Sequence, residues 1–161
     1  MDTSIDCFES PLGFLKITLV DDQLTKLEFS ELEITDTSPN TPSKKIILQL
    51  KEYFYDGRKV FDIPLNLIGT NFQKEVWTEL LNIKFGELIS YKNIAEKLGD
   101  VKKIRAVGTA NGANPIPIII PCHRVIGSNN NLIGYSGGLW RKQWLIDHEN
   151  GGLSGSLFDK L

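Results

Sequence analysis

Between Asn114 and Cys122 the chain places three prolines, Pro115, Pro117 and Pro121, in a run that is otherwise apolar: Ile116, Ile118, Ile119 and Ile120. Proline fixes its own φ, has no N–H to donate, and drives the residue before it out of helical geometry. A helix arriving from the N-terminal side must therefore stop near Ala113–Asn114. Beyond that stop lies a rigid, apolar, proline-bracketed segment that delivers Pro121-Cys122-His123-Arg124. A cysteine fixed at the end of so stiff a run, with a histidine beside it, is the point from which the rest of the chain is read.

The helix ahead of this run is nearly bare of bulk. It runs from about Lys102 to Ala113, with Asp100 as a cap, and contains Ala106, Gly108, Thr109, Ala110, Gly112 and Ala113. Each helix glycine costs about 1 kcal/mol against alanine. Either the smooth face lets a partner such as a narrow DNA groove approach the backbone, or it packs tightly on another helix. Arg105 is the one long cation within that face. Upstream, Ser90 caps a helix through Ile94, Ala95 and Leu98 that Gly99 stops. Two short helices joined by a tight glycine-containing turn make a helix-turn-helix pattern. Thr70 to Gln73 fits a capping box for a helix burying Phe72, Val76, Trp77, Leu80 and Leu81. Downstream, Val125 to Tyr135 reads as a hairpin around Ser128-Asn129-Asn130-Asn131. Ser136-Gly137-Gly138 then links to a last helix, Leu139 to His148. Helical spacing puts Trp77, Trp140 and Trp144 in the core.

The first half has a different character. Leu15, Ile17 and Leu19 alternate with Lys16 and Thr18, the period of a half-buried strand. Asp21-Asp22 turns the chain, and Leu24 to Phe29 returns as its hairpin partner. Glu31 to Pro42 is polar and reads as a surface loop. Ser43 opens a helix with Ile46, Ile47, Leu50, Tyr53 and Phe54 on one stripe, stopped at Gly57. Val60 to Leu65 reads as another short strand, and Cys7 as a strand residue with no role. No cluster of catalytic residue types occurs here. The expected division is 1–68, 69–150 and a glycine- and serine-rich mobile tail, 151–161.

Charge follows the same division. The net charge of −2 does not advertise a nucleic-acid partner, but residues 1–68 carry 7 Lys+Arg against 12 Asp+Glu, whereas 69–150 carry 10 against 7. A mildly basic second half suits phosphates. No stretch is long and apolar enough to span a bilayer, and Met1 to Ser10 shows no export signal. A reducing, cytoplasmic setting (nuclear in a eukaryote) is expected for the two cysteines. Adjacent Cys122 and His123 chelate one ion poorly, and no pair has zinc-ligand spacing, so no metal is expected.

A cysteine attacks as its thiolate, which needs a nearby base or positive field. His123 can supply the base, and Glu149 can orient it, the general form of an activated nucleophile. Taken alone, the Cys-His pair reads more readily as a buried small hydrophobe beside a satisfied polar neighbour, since buried inert cysteine is the commoner case. Trp77 and Tyr91 are likewise readable as plain core, and Arg124 as holding either a phosphate or an internal carboxylate.

The whole string Asn114-Pro115-x-Pro117-Ile118-Ile119-Ile120-Pro121-Cys122-His123-Arg124-Val125 resembles the active-site motif of the O6-alkylguanine-DNA alkyltransferases. The resemblance extends over Gly86-Glu87-x-x-Ser90-Tyr91, Arg105-Ala106-Val107-Gly108, Gly134-Tyr135-Ser136-Gly137-Gly138-Leu139 and His148-Glu149, covering about residues 69–150. It implies an α+β protein: a small ribonuclease-H-like N-terminal domain, then a helical, winged-helix-like domain with the helix-turn-helix. It implies stoichiometric transfer of an alkyl group from O6 of guanine in double-stranded DNA to Cys122, with O4 of thymine as a second candidate substrate. His123, through a water, and Glu149 help remove the proton; Tyr91 donates to the leaving base. Arg105 enters the duplex as the base flips out. Asn114 fixes the turn before Cys122, and Val125 and Ser136 line the base pocket. Arg105, Ala106, Gly108, Thr109, Ala110 and Arg124 face DNA. No cofactor and no obligate protein partner are implied, and a monomer is expected. The metal-binding residues that some family members carry in the N-terminal domain are missing. Three rivals use parts of the pattern: a lesion-binding module without transfer activity, a cysteine hydrolase and a transcriptional regulator. The first lacks the acceptor cysteine, the second leaves Arg105 and the small-residue helix without purpose, and the third leaves Pro121 to Arg124 unexplained.

Overall fold

Alternating apolar residues make the first part of the chain a sheet. In the computed structural model, which describes residues 1–31, 41–128 and 132–151, β1 (Thr3–Ser10), β2 (Gly13–Val20) and β3 (Gln23–Ser30) form an antiparallel meander in the order β1-β2-β3. Leu15, Ile17 and Leu19 all point into the core, as a period of two requires. Asp21 and Asp22 both take positive φ, 49° and 64°, which is the geometry of a tight hairpin turn. The α1 helix (Lys44–Tyr55) lays Ile46, Leu50, Tyr53 and Phe54 against the core, and Phe8 stacks on Phe54. Val60 to Leu65 is not a strand: only Leu65 pairs, in an isolated bridge to Leu24. Gln49 occupies this segment instead, its side chain bonding both N–H and C=O of Asp62.

The chain divides into two units, Met1–Ile68 and Gly69–Leu161. The second opens on a reciprocal capping box. Gln73 N–H donates to Thr70 Oγ1 at 3.1 Å, and Thr70 N–H donates to Gln73 Oε1 at 2.9 Å. α2 (Asn71–Leu80) buries Val76, Trp77 and Leu80. Leu81 is 42% exposed rather than buried, because the helix ends before it and its side chain leaves the apolar stripe. Ser90 caps α3 (Tyr91–Lys97) through the Asn93 N–H. Asp100 caps a single 3₁₀ turn, Val101–Lys103, and α4 (Ile104–Gly112) follows from it, so the regular helix starts later than the sequence suggests.

The hairpin expected over Val125 to Tyr135 does not form in the described residues. β5 (Val125–Ile126) pairs in parallel with β4 (Ile89–Ser90), whose register is Ile89 to Val125 and Ser90 to Ile126. Those ladder groups are spent on a partner distant in sequence, and residues 132–135 have no strand structure. α5 (Leu139–Glu149) closes the unit, entered through Gly138 at φ 94°. Trp140 is 58% exposed, against the expectation of a core position, and carries the Arg141 guanidinium over its ring. Most of the expected polar loop, the Asn129–Asn131 turn and residues 152–161 of the expected tail lie outside the described residues. No helix among the described residues is long and apolar enough to cross a membrane.

Candidate active site

The prolines build a turn, not a strand. Ile120 N–H donates to Ile116 C=O and Ile119 N–H to Pro117 C=O, both at 2.9 Å. The loop forces Ile118 to φ 73°, although a β-branched residue strongly disfavours the left-handed region. Such strain costs about 1–3 kcal/mol and persists only where surroundings over-determine it. Asn114 is one such constraint. Its Oδ1 accepts from Ile116 N–H at 2.9 Å and its Nδ2 donates to Ile120 C=O at 2.7 Å, clamping both ends of the turn. Pro121, at φ −81° and ψ 64°, forms an inverse γ-turn closed by Cys122 N–H to Ile120 C=O at 2.7 Å. Cys122 begins a 3₁₀ turn with its side chain buried, 3% exposed.

Burial pushes the Cys122 thiol up to about 11, with the Asn114 side chain and Lys142 opposing. The resting sulfur is therefore protonated, and the site must supply a base. His123 is fully buried. Its Nε2 lies 2.8 Å from Glu149 Oε2. Arg124 grips the same carboxylate, Nε to Oε1 at 2.8 Å and Nη2 to Oε2 at 2.9 Å, and Gly86 N–H adds a fourth donor at 3.2 Å. Burial works against the charge on Glu149, but His123 and Arg124 outweigh it and hold the group far below the ordinary carboxylate range. An ionised carboxylate can only accept, so Nε2 carries the ring proton. Burial also pushes His123 below its usual value, more than Glu149 raises it. The ring is thus neutral, and its contact with Glu149 is a hydrogen bond rather than an ion pair. Nδ1 is left as a buried lone pair without a protein partner. Gly86 belongs to this arrangement: its φ is 81°, and an added Cβ would come 3.3 Å from the Glu149 carbonyl.

Tyr91, at the start of α3, donates its hydroxyl to Ile133 C=O at 3.0 Å. Burial and the nearby Cys122 raise the phenol to about 12, so it is a proton donor across the neutral range. Lys142 of α5 is 0% exposed. Its ammonium donates to Ile133 C=O at 2.9 Å and lies 3.4 Å from both Gly134 C=O and Tyr91 Oη. Burial lowers it to about 8, against the raising influence of Cys122. Asn111 of α4 is buried too, and its Nδ2 donates to Cys122 C=O at 3.4 Å. Reading the sequence passed over Lys142 and Asn111, and gave Gly86 no role beyond its place in the motif. Lys142, Ile146 and Glu149 fall at i, i+4 and i+7, so the spacing did carry a signal that Lys142 lies on the inward stripe.

Among the expected residues, Cys122, His123, Glu149, Tyr91 and Asn114 converge in this unit. Val125 is buried just after the 3₁₀ turn, its N–H on Cys122 C=O, while Ser136 lies exposed in the turn before α5. Arg105, Ala106 and Thr109 are exposed on α4, and Gly108 is half-buried beside the Tyr91 ring. Two expected DNA-facing residues are not on the surface. Ala110 is buried and its carbonyl accepts Trp77 Nε1–H at 2.8 Å. Arg124 is buried on Glu149, with Nη1 donating to Ile83 C=O at 2.6 Å, which settles its choice in favour of the internal carboxylate.

Comparison with known proteins places this geometry. Residues 71–151 match the family model for the DNA-binding domain of 6-O-methylguanine DNA methyltransferase. A probable methylated-DNA–protein-cysteine methyltransferase of Acanthamoeba polyphaga mimivirus is 43% identical over 146 residues, 90% of this chain and 95% of that protein. The crystal structure of Mycobacterium tuberculosis O6-methylguanine methyltransferase superposes with a TM-score of 0.83 at 38% identity, covering 99% of this chain and all of that one. The mycobacterial protein in complex with DNA gives 0.80 at 41% identity over 90% of this chain and 91% of that one. The mixed α/β architecture of small sheets and helices is the one these structures share, and the chain belongs to the 6-O-methylguanine DNA methyltransferase family.

Proposed function

We propose that the protein repairs DNA by moving an alkyl group from O6 of guanine in a duplex onto its own Cys122, once per molecule. The observation that carries this reading is the pairing of a rigidly mounted, buried thiol with a neutral imidazole whose tautomer a four-donor carboxylate fixes. His123 Nδ1 takes the thiol proton through a water. The sulfur then attacks the alkyl carbon in line with its bond to O6, an S–C bond forms, and the C–O electron pair passes into the guanine ring. Tyr91 donates a proton to the departing base. The Tyr91 phenolate then regains a proton, and His123 gives up the one it took from sulfur, so in net terms the thiol proton ends on the base and the products are a thioether and an intact guanine. A thioether resists water and thiols, so turnover stops there. No step requires a cofactor.

The sulfur is buried, so the base must leave the stack to reach it. α4 is the element that meets the duplex. Arg105, Ala106 and Thr109 lie on its exposed side with Gly108 partly so, and Lys102 and Lys103 stand at its positive N-terminal end. Arg105 fills the gap left by the flipped base. Val125 and Ser136 line the base pocket. The sheet-and-helix unit 1–68 is read as the ribonuclease-H-like domain, and 69–150 as the winged-helix-like domain that binds DNA and transfers the group. The protein works as a monomer in the cytoplasm, or in the nucleus of a eukaryote.

The test is intact mass after incubation with a duplex containing O6-methylguanine, followed by peptide mapping. One methyl group on Cys122 and none on the Cys122→Ala variant, which still binds the duplex, is the expected result. A methyl on Cys7, or many turnovers per molecule, refutes the mechanism. Binding without any mass gain identifies a lesion-binding module instead.

A further inference from the structure

We propose that Asn150 is a site of spontaneous deamidation in the folded protein, its side-chain amide lost to attack by the Gly151 nitrogen, while Asn111 in the same sequence setting is shielded. Asparagine followed by glycine occurs twice in the chain, at Asn111-Gly112 and Asn150-Gly151. With no side chain on the following residue, the main-chain nitrogen meets the least hindrance on its way to the asparagine Cγ. The dipeptides are identical, and the fold tells them apart. Asn111-Gly112 closes α4: Asn111 is 2% exposed, its Nδ2 donates to Cys122 C=O, and the Gly112 N–H belongs to the helical ladder. Attack there requires the last turn of α4 to come apart and to release the Cys122 turn. Asn150-Gly151 lies just beyond α5 with both residues exposed, Asn150 at φ −102° and ψ 23° and Gly151 at φ 89°. The Gly151 N–H meets His148 C=O at 3.4 Å, too long to hold it firmly. The Asn150 amide is tied by Nδ2 to Ile146 C=O at 2.9 Å, at a helix end, where local opening costs little.

The Gly151 nitrogen gives up its proton and bonds to Asn150 Cγ, the Cγ–Nδ2 bond breaks, and ammonia leaves, closing a cyclic imide. Water then opens the ring at one of its two carbonyls. The product is aspartate, or isoaspartate with the main chain rerouted through the side chain. The change falls on the cap of the helix that ends in Glu149. Asn150 holds that end with its N–H, which donates to Ile146 C=O and Asp147 C=O at 3.1 Å, and with Nδ2 on Ile146 C=O. A carboxylate in place of the amide turns the second donor into an acceptor facing a carbonyl. It also puts negative charge at the negative end of α5. Deamidation therefore loosens the last turn of the helix that carries His148 and Glu149.

The test compares the two dipeptides in the folded and the urea-unfolded chain. Both samples are held in mildly alkaline buffer over days, and peptide mapping by mass follows the replacement of NH₂ by OH at each asparagine. In urea the two sites are expected to react at similar rates. In the folded protein Asn150 is expected to outrun Asn111 by at least about a hundredfold, because the opening that exposes Asn111 breaks α4. Equal rates in the folded protein, or an Asn150 peptide that stays unchanged, overturn the assignment. Asn150→Gln should abolish the mass change in that peptide; its persistence puts the reaction on another residue and overturns the assignment too. Asn150→Asp, which is the deamidated form made directly, should lower the urea midpoint by about 0.5 M. An unchanged midpoint overturns the claim that the amide caps α5.

Discussion

Glu149→Gln removes one negative charge and almost no volume, and its effect can be worked from the four donors that converge on the carboxylate. Oε1 accepts from Arg124 Nε and Gly86 N; Oε2 accepts from His123 Nε2 and Arg124 Nη2. Glutamine turns one of those oxygens into an NH₂. Whichever end it occupies, two donors are left facing a donor, and the buried Arg124 loses its counter-charge. Removing one partner of a buried pair costs about 3–5 kcal/mol, a large part of the roughly 5–15 kcal/mol that holds a domain folded. With a urea dependence of about 2 kcal/mol per molar, the unfolding midpoint should fall by about 2 M. Adding Arg124→Met takes away the orphaned charge, so the double variant should recover about half or more of the loss, the rest being the unpaired Ile83 carbonyl. Methyl transfer should not recover with it, because His123 Nε2 still lacks a carboxylate to fix its tautomer. Urea melts and single-turnover rates on the three proteins check both statements. A Glu149→Gln midpoint within about 0.3 M of wild type, or a double variant no more stable than the single, refutes the claim that charge compensation holds the site together.

Tyr91→Phe should slow transfer by a few kcal/mol of barrier while duplex affinity changes little; an unchanged single-turnover rate leaves Tyr91 as packing. Arg105→Ala should slow repair of a methylated duplex about ten- to a hundredfold, since flipping a paired base costs a few kcal/mol. The same variant should react almost normally with free O6-benzylguanine, and equal slowing on both substrates ends the wedge role. The pH–rate profile should hold its plateau from pH 7 down past 6.5, because the lowered His123 stays neutral there, and should bend near 8 as Lys142 loses its proton; Lys142→Met should lack the bend. Stability has the matching sign: unfolded His123 takes a proton from about 6.5 downward where the folded ring does not, so stability should be full above that and fall below it. The depressed Glu149 should add a second loss below its ordinary 4.5, and chemical melts from pH 8 to 4 read both.

Much of the second unit was legible because its signals are local. Thr70 with Gln73, Ser90 with Asn93, and Gly99 at φ 89° all act within one turn, so residue type and spacing were enough to place them. The alternation of Leu15, Ile17 and Leu19 worked for the same reason. The β4–β5 pairing was not legible: two residues a side, joined across more than thirty positions, carry no periodicity, whereas the polar run after Val125 looks locally like a hairpin turn. The proline run showed that the chain stiffens before Cys122. It did not show that stiffness is reached through a left-handed Ile118, because no composition rule leads to a strained β-branched residue.

The long cations mark the deeper limit. Arg124 beside a Cys-His pair suits an external phosphate as well as an internal carboxylate, and only the fold decides, by bringing Glu149 to 2.8 Å from its Nε across 25 positions. Once Glu149 is there, the guanidinium must be inside, since a carboxylate facing His123 alone could take a proton and release the tautomer. Lys142 presents the converse case. Its i, i+4, i+7 relation to Ile146 and Glu149 already points it inward, and a lysine among apolar residues reads as an error of the stripe until the carbonyls of Ile133 and Gly134 are seen to receive it. Those carbonyls are freed because the 132–135 segment makes no strand ladder. The missed hairpin and the missed lysine are thus one omission: backbone acceptors that a strand would have used are instead the seat of the ammonium beside Tyr91.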